Sequence, residues 1–265
     1  VTEEVKHLSP SKIEGTKCME SFRLRYVEKI PEPSGGTFLA GRVVHGVLER
    51  AMKRVMLGSG LPSAKEADDW FVALWKEEEE GEEAKPAFMG WNWDENRGDS
   101  KEKAYRECRA LVPFALTDVV PGIKPRLIEE DAKMNYESEL GPFLVWGRLD
   151  LYEEGGIVSD WKTTRKVSKN ATESWLQLAH YSRYAHEVME GPEVTRCRKI
   201  FLIRGATPKA DLAWYDLTPA KRAWFARVAA EVWKAVKTNT FVPNPSGWWC
   251  SSDWCSYWAI CQGEL

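Results

Sequence analysis

The sequence predicts an α/β fold in which a mixed central β-sheet is flanked by helices. Two observations carry that expectation. Extended runs rich in Val, Ile, Leu and Trp alternate along the chain with stretches whose apolar residues recur at helical spacing. The clearest extended runs, Phe143–Leu151 and one beginning at Ile157, flank the turn-forming Glu153-Glu154-Gly155-Gly156, the pattern of a β-hairpin.

From the N-terminus, Ser9 suits an N-cap and Pro10 the first helical position, so a helix opens there and runs through Cys18 towards Tyr26. Pro31-Glu32-Pro33-Ser34-Gly35-Gly36 is a flexible connection. A longer helix from about Phe38 to Leu57 carries the apolar stripe Leu39, Val43, Val47, Ala51 and Val55, with His45 at its flank. Residues 58–100 read as an insertion, with a helix through Trp70, Phe71 and Trp75 and then the acidic run Glu77–Glu83. Its aromatic stretch Phe88-Met89-Gly90-Trp91-Asn92-Trp93 suits local packing first and base stacking second. A helix over Ser100–Val119 and a strand over Arg126–Tyr136 follow, the strand containing Glu129 and Glu130. After the hairpin come an amphipathic helix over residues 173–190 and strands at Lys199–Ile203 and Ala213–Leu217. Thr218-Pro219 then caps a helix bearing Trp224, Val228, Val232 and Val236. The expected division is 1–57, 58–100, 101–217 and 218–265.

A chain of 265 residues can bury one substantial core. No run approaches the roughly 18 apolar residues of a membrane span, and Val1–Lys6 lacks the basic-then-apolar plan of a signal peptide. The expectation is a soluble, cytoplasmic protein that needs no membrane. A net charge of −3 lends no global support to nucleic-acid binding. The charge is uneven, however: the acidic run contrasts with Lys162, Arg165, Lys166 and Lys169 just after the hairpin, and with Arg196, Arg198, Lys199, Arg204 and Lys209 beyond.

The hairpin concentrates the chemistry. Side chains alternate along a strand, so Asp160 and Lys162 share one face and Trp161 takes the other, while Asp150 comes from the neighbouring strand. Carboxylates on adjacent strands can share a divalent cation, with the ammonium beside them for a water or a phosphate oxygen. Asp-x-Lys alone is commonly a solvated strand face. The whole pattern, Gly-x-x-Asp, turn, then Ile157-Val158-Ser159-Asp160-Trp161-Lys162-Thr163, is far more specific and fits phosphodiester cleavage.

Gly147, Asp150, Asp160, Lys162 and Thr163 resemble the motif of the PD-(D/E)xK nuclease superfamily, and within it the RecB-like branch. Two further matches stand in the family's order: Gln177-Leu178-Ala179-His180-Tyr181, similar to its Gln-x-x-x-Tyr helix, and Gly41-Arg42-Val43-Val44-His45-Gly46-Val47-Leu48-Glu49, similar to its histidine-bearing helix. The resemblance implies a restriction-endonuclease-like core and a metal-dependent DNA exonuclease acting on single strands or ends. It places Mg²⁺ or Mn²⁺ on His45, Asp150, Asp160 and the backbone carbonyl of Trp161, with Lys162 positioning water and Gln177 and Tyr181 orienting Lys162 or the phosphate. A glutamate on the preceding strand, Glu129 or Glu130, assists the metal in such enzymes. Arg165, Lys166 and Lys169 are the expected DNA contacts. Recombination, repair or phage replication is the implied setting, with a helicase or single-strand annealing protein as partner. A CRISPR-adaptation nuclease trimming spacer precursors and a non-catalytic DNA-end-binding subunit are the alternatives.

Cysteine usage adds a second theme. Cys250, Cys255 and Cys261 cluster near the C-terminus, and Cys18 stands far upstream. Four thiolates can bind zinc or a [4Fe-4S] cluster. The three-plus-one arrangement resembles AddB-type and CRISPR-adaptation-type iron-sulfur nucleases, and so implies a [4Fe-4S] cluster tying the chain ends together. Here four residues separate Cys250 from Cys255, where two are commoner. Cys108 and Cys197 read as buried thiols.

Overall fold

The computed structural model describes residues 5–93, 95, 98–169 and 174–263. Helices are α1 (Pro10–Gly15), α2 (Met19–Phe22), α3 (Gly36–Met56), α4 (Ala64–Glu83), α5 (Lys101–Phe114), α6 (Leu176–Glu187), α7 (Pro219–Thr238) and α8 (Trp258–Gln262). Two short strands, β1 (Ser34–Gly35) and β2 (Trp91–Asn92), pair in parallel as a separate ribbon. The main sheet has the order β3 (Pro125–Tyr136), β4 (Phe143–Glu153), β5 (Ile157–Thr164), β6 (Arg196–Ile203) and β7 (Lys209–Asp216). Strands β4 and β5 are antiparallel, β5 and β6 parallel, β6 and β7 antiparallel. The architecture is α/β with a five-stranded mixed sheet, as expected.

The chain forms two compact units, one of residues 33–130 and 148–217, the other of residues 1–32, 131–147 and 218–265. In the first, parallel pairing of β5 with β6 demands a crossover, because a tight turn cannot return a chain to run in the same direction. Helix α6 lies within that crossover, which is why it carries Gln177 to the strand that bears Asp160. The stripe of α3 is fully buried at Leu39, Val43, Val47 and Ala51. It packs in one core with Phe71 and Trp75 of α4, Leu111 of α5, and Trp161, Ile200 and Leu202 of the sheet. Each large apolar side chain so buried contributes roughly 1.5–3 kcal/mol. Gly46 lets α4 approach closely, since a Cβ there would stand 3.0 Å from Leu74 Cδ1.

The acidic run departs from expectation. It does not follow the Trp70–Trp75 helix but continues it, to Glu83. Ser63 and Glu66 form a reciprocal capping box that nucleates α4, and glutamate is a good helix former. Cations also neutralise the run: Arg42 reaches Glu78 at 2.6 Å and Glu82 at 3.3 Å, and Lys101 pairs with Glu79. The aromatic stretch packs locally, with Trp91 and Trp93 against the core and Trp91 Nε1 donating to Glu83 at 2.9 Å.

In the second unit the expected first helix breaks. Helix α1 stops at Gly15, Thr16 is extended, and a new short helix begins at Met19 behind Cys18. Thr16 Oγ1 caps α1 by donating to the Lys12 carbonyl at 2.6 Å, so the chain turns where a continuous helix was expected. Helix α7 is capped by Thr218, whose hydroxyl accepts from the Lys221 N–H. No helix among the described residues is long and apolar enough to cross a membrane.

Candidate active site

Strands β4 and β5 meet in the register Leu151 to Ser159, which sets Asp150 beside the Asp160–Trp161 segment. The Trp161 N–H donates to Asp150 Oδ2 at 2.8 Å, locking that carboxylate against β5. The alternation read from the sequence holds: Trp161 enters the core, and Asp160 and Lys162 face the other way. Lys162 Nζ donates to Asp160 Oδ1 at 2.9 Å, and Gln177 Nε2 donates to the same oxygen. Gln177 and Lys162 thus share one acceptor, Asp160 Oδ1. Asp160 Oδ2 is buried and accepts no well-aligned hydrogen bond among the described residues, although the Lys162 ammonium lies 2.8 Å away. Tyr181 is buried one turn beyond Gln177, its ring edge-on to His180.

Helix α3 supplies His45, whose Nδ1 lies 3.8 Å from Asp150 Oδ2 and whose ring also hydrogen-bonds the Trp161 backbone. Burial, reinforced by the nearby Lys162 ammonium, lowers the imidazole pKa to about 4, so the ring stays neutral and able to ligate. Strand β3 supplies Glu129 at a left-handed φ of 52°, a conformation that costs a non-glycine residue about 1–3 kcal/mol. Ligand atoms of His45, Glu129 and Asp150 all lie within 4.8 Å of one another. Asp160, expected among the metal ligands, stands outside that trio. Of the two candidate glutamates, Glu129 joins the site, while Glu130 accepts from the Tyr184 hydroxyl at 3.3 Å.

Two carboxyl groups are held ready to give up protons. Burial raises the Glu129 pKa to about 7 against the opposing pull of Arg148. Asp150 is raised well above the usual range by burial and then by Asp160. A neutral imidazole, two crowded carboxyls and an orphaned carboxylate oxygen form a donor set suited to a divalent cation, which would relieve their mutual repulsion.

The sequence matches a known family model along most of its length. The family model of the PD-(D/E)XK nuclease superfamily covers residues 7–262. This chain belongs to that superfamily. The crystal structure of a protein from Eubacterium rectale named "Putative exonuclease" superimposes with a TM-score of 0.55 at 12% identity, covering 92% of this chain and 87% of that one. A second crystal structure, of SSO0001, gives a TM-score of 0.42 at 12% identity over 100% and 90% of the two chains. No curated protein matches the sequence. In this PD-(D/E)XK chain, Arg148 and Glu49 are neighbours of the site that the motifs alone did not single out. Arg148 Nε binds Glu129 at 2.7 Å and its Nη2 lies 3.5 Å from Glu49. Glu49 stands four residues after His45, the spacing that puts both on one helix face, and that was the available signal. Lys199 is a third: it lies opposite Asp160 in register, is 3% exposed, and donates to Ser174 Oγ at 3.3 Å, bracing the segment before α6.

Arg165, Lys166 and Lys169 follow β5 as exposed side chains. The beginning of the predicted helix at residue 173 lies outside the described residues. In the other unit, Cys18 Sγ accepts the Asn244 N–H at 3.3 Å, and Asn244 Nδ2 donates to the Lys17 carbonyl at 3.0 Å. The Cys261 thiol is pushed up first by burial, then by Glu20 and by Cys18, Cys250 and Cys255 beside it. None of the four is in a disulfide. Their sulfur atoms are not within 4.8 Å of one another as a group. Cys108 and Cys197 are fully buried.

Proposed function

We propose that this chain is a Mg²⁺- or Mn²⁺-dependent deoxyribonuclease that works as an exonuclease on single strands or DNA ends. The observation that carries the reading is the junction of His45, Glu129 and Asp150 with the Asp160–Lys162 pair at one end of the β4–β5 hairpin. His45, Glu129 and Asp150, with Asp160 alongside, are the residues that would hold the cation. A cation held there would lower the pKa of a bound water and neutralise charge on the phosphoryl group. Lys162 holds the attacking water near the phosphate and offsets charge that grows on the non-bridging oxygens. Asp160 keeps the ammonium in place, Gln177 keeps Asp160 in place, and Tyr181 packs behind them. Arg165, Lys166 and Lys169 draw the strand towards an otherwise anionic centre. The name of the Eubacterium rectale protein supports the exonuclease part of this reading. Recombination, repair or phage replication is the setting it suits, with a helicase or annealing protein delivering ends. A [4Fe-4S] cluster on Cys18, Cys250, Cys255 and Cys261 is part of the same proposal, supported by the three-plus-one cysteine pattern and by the electrostatic influence of Cys18, Cys250 and Cys255 on the Cys261 thiol.

The experiment is cleavage of 5′- and 3′-end-labelled single- and double-stranded DNA by anaerobically purified protein, with Mg²⁺, Mn²⁺ or EDTA. Metal-dependent laddering from one end is the expected result and gives the polarity. Internal cuts in closed circular DNA would replace the exonuclease reading with an endonuclease one. Inert DNA under every condition would overturn both.

Metal affinity carries its own pH signature. His45 is neutral above about pH 4 and gives up no proton, whereas Glu129 is still largely protonated below its pKa of about 7, and Asp150 is raised in the same direction. A cation binding below neutrality must displace those protons. Mn²⁺ affinity should therefore tighten by about tenfold per pH unit for each proton displaced, the Glu129 contribution levelling off above about pH 7. Electron paramagnetic resonance titrations at about pH 6 and about pH 8 check this. Equal affinities would mean that the carboxylates are already ionised in the metal-free protein.

A further inference from the structure

A cavity of about 970 Å³ opens where β5 ends, immediately past the strand that carries Asp160 and Lys162. Lys103, Arg165, Lys166 and Arg204 line it, against the two carboxylates Asp99 and Glu107. Both carboxylates are committed to Arg204, which is 3% exposed: its Nη1 donates to Asp99 at 3.1 Å and to Glu107 at 2.8 Å. This ion-paired floor sets one guanidinium against two carboxylates, a net charge of −1, which Lys103, Arg165 and Lys166 in the same lining outweigh. Lys103 Nζ donates one hydrogen to the Gly98 carbonyl at 2.6 Å, and an ammonium has three to give.

Two further features point to an anion. Thr37 brings the first turn of α3 to the wall, and this 21-residue helix has Gly35 as its N-cap, with no side chain capping its N–H groups. Those groups carry the positive end of the helix dipole. Thr163 Oγ1, also in the lining, is buried with no hydrogen-bond partner among the described residues. The described lining contains no aromatic ring on which a base could stack. Lys162 to Thr164 covers roughly 6.6 Å of strand, and duplex DNA advances about 3.4 Å per nucleotide. The wall of the cavity at Thr164 is thus about two such steps along β5 from Lys162.

We infer that this cavity is a phosphate subsite, which grips the substrate strand one or two nucleotides from the scissile bond through Lys103, Arg165, Lys166, the Thr163 hydroxyl and the first turn of α3. The inference rests on the nuclease reading above. The phosphate is either a terminal monoester or an internal diester, and the two differ in what removing a terminal phosphate does.

The test compares wild type, Thr163→Val and the double variant Lys103→Ala/Lys166→Ala on single-stranded oligonucleotides ending in phosphate or hydroxyl. The double variant should raise KM about tenfold, with a smaller loss of kcat, and flatten the salt dependence of binding by about one unit of log–log slope. Thr163→Val keeps the side chain's shape and removes only the orphaned hydroxyl. It should raise KM a few-fold without lowering Tm, which a purely structural role for Thr163 would not do. A wild-type preference for phosphorylated ends that vanishes in the double variant assigns the subsite to a terminal phosphate. Indifference to the terminus, with KM still raised, assigns it to an internal one. Wild-type KM and salt slope in both variants, on an active enzyme, would overturn the subsite and leave the nuclease standing. Wild-type protein that neither binds nor cleaves DNA would remove both.

Discussion

Asp160→Asn and Lys162→Ala are each expected to slow DNA cleavage by at least about a thousandfold, while strand binding stays within a factor of a few. Asp160 is 2% exposed, and one of its oxygens accepts from both Lys162 and Gln177. Asparagine keeps the volume but loses the charge that holds the ammonium, and it confronts the Gln177 amide with a donor in one of its two orientations. Lysine loss removes the cation placed to meet the phosphate and leaves a buried carboxylate with no counter-charge from its own strand. Lys162→Arg should not restore activity, because the planar guanidinium cannot reproduce a compact ammonium 2.9 Å from Asp160 Oδ1. Single-turnover cleavage and fluorescence anisotropy on the same oligonucleotide separate chemistry from binding. Either variant retaining a tenth of wild-type activity would falsify the assignment.

Cys255→Ala should bleach the protein and lower its Tm by roughly 10 °C or more, a loss of several kcal/mol. The size follows from how little else holds that part of the chain. Helices α1 and α2 have 6 and 4 residues, and the 5 residues of α8 include none that is buried. Much of the segment between α7 and α8 consists of turns, and Tyr257 is its one buried residue, so little apolar burial offsets the entropy of ordering it. The proposed metal-thiolate centre would supply what burial does not. Visible absorbance, iron and sulfide analysis and a thermal melt of anaerobic protein check the prediction. Stoichiometric zinc in a colourless wild type would replace the cluster with a zinc site. An unchanged melt in the variant would remove either centre.

Local chemistry made much of this site readable. Turn residues Glu154-Gly155-Gly156 and strict alternation bring Asp150, Asp160 and Lys162 to one place, and both depend only on near neighbours in sequence. Four-residue spacing likewise puts Gln177 and Tyr181 on one side of α6. The stripe of α3 was legible for the same reason, since burial of every third or fourth residue leaves a periodic trace.

Longer-range packing decided the rest. Ser9 and Pro10 announce a helix but do not say that Thr16 ends it. The glutamates after Trp75 resemble a solvated run, yet a capping box at Ser63 and cations from Arg42 and Lys101 hold them in a helix. Glu129 and Glu130 are indistinguishable as letters. Only a backbone turned to φ 52° sends Glu129 to His45 and Asp150 and leaves Glu130 to Tyr184. Arg148, Lys199 and the cationic cavity are in the same position: their partners are distant along the chain, and no local pattern encodes a contact that exists only after the sheet, its crossover and α3 have packed. The sequence by itself determined which chemical groups this nuclease-superfamily chain has and which of them share a strand or helix face. Tertiary structure decided which of them meet, because a side chain's orientation is set by the packing of whole elements.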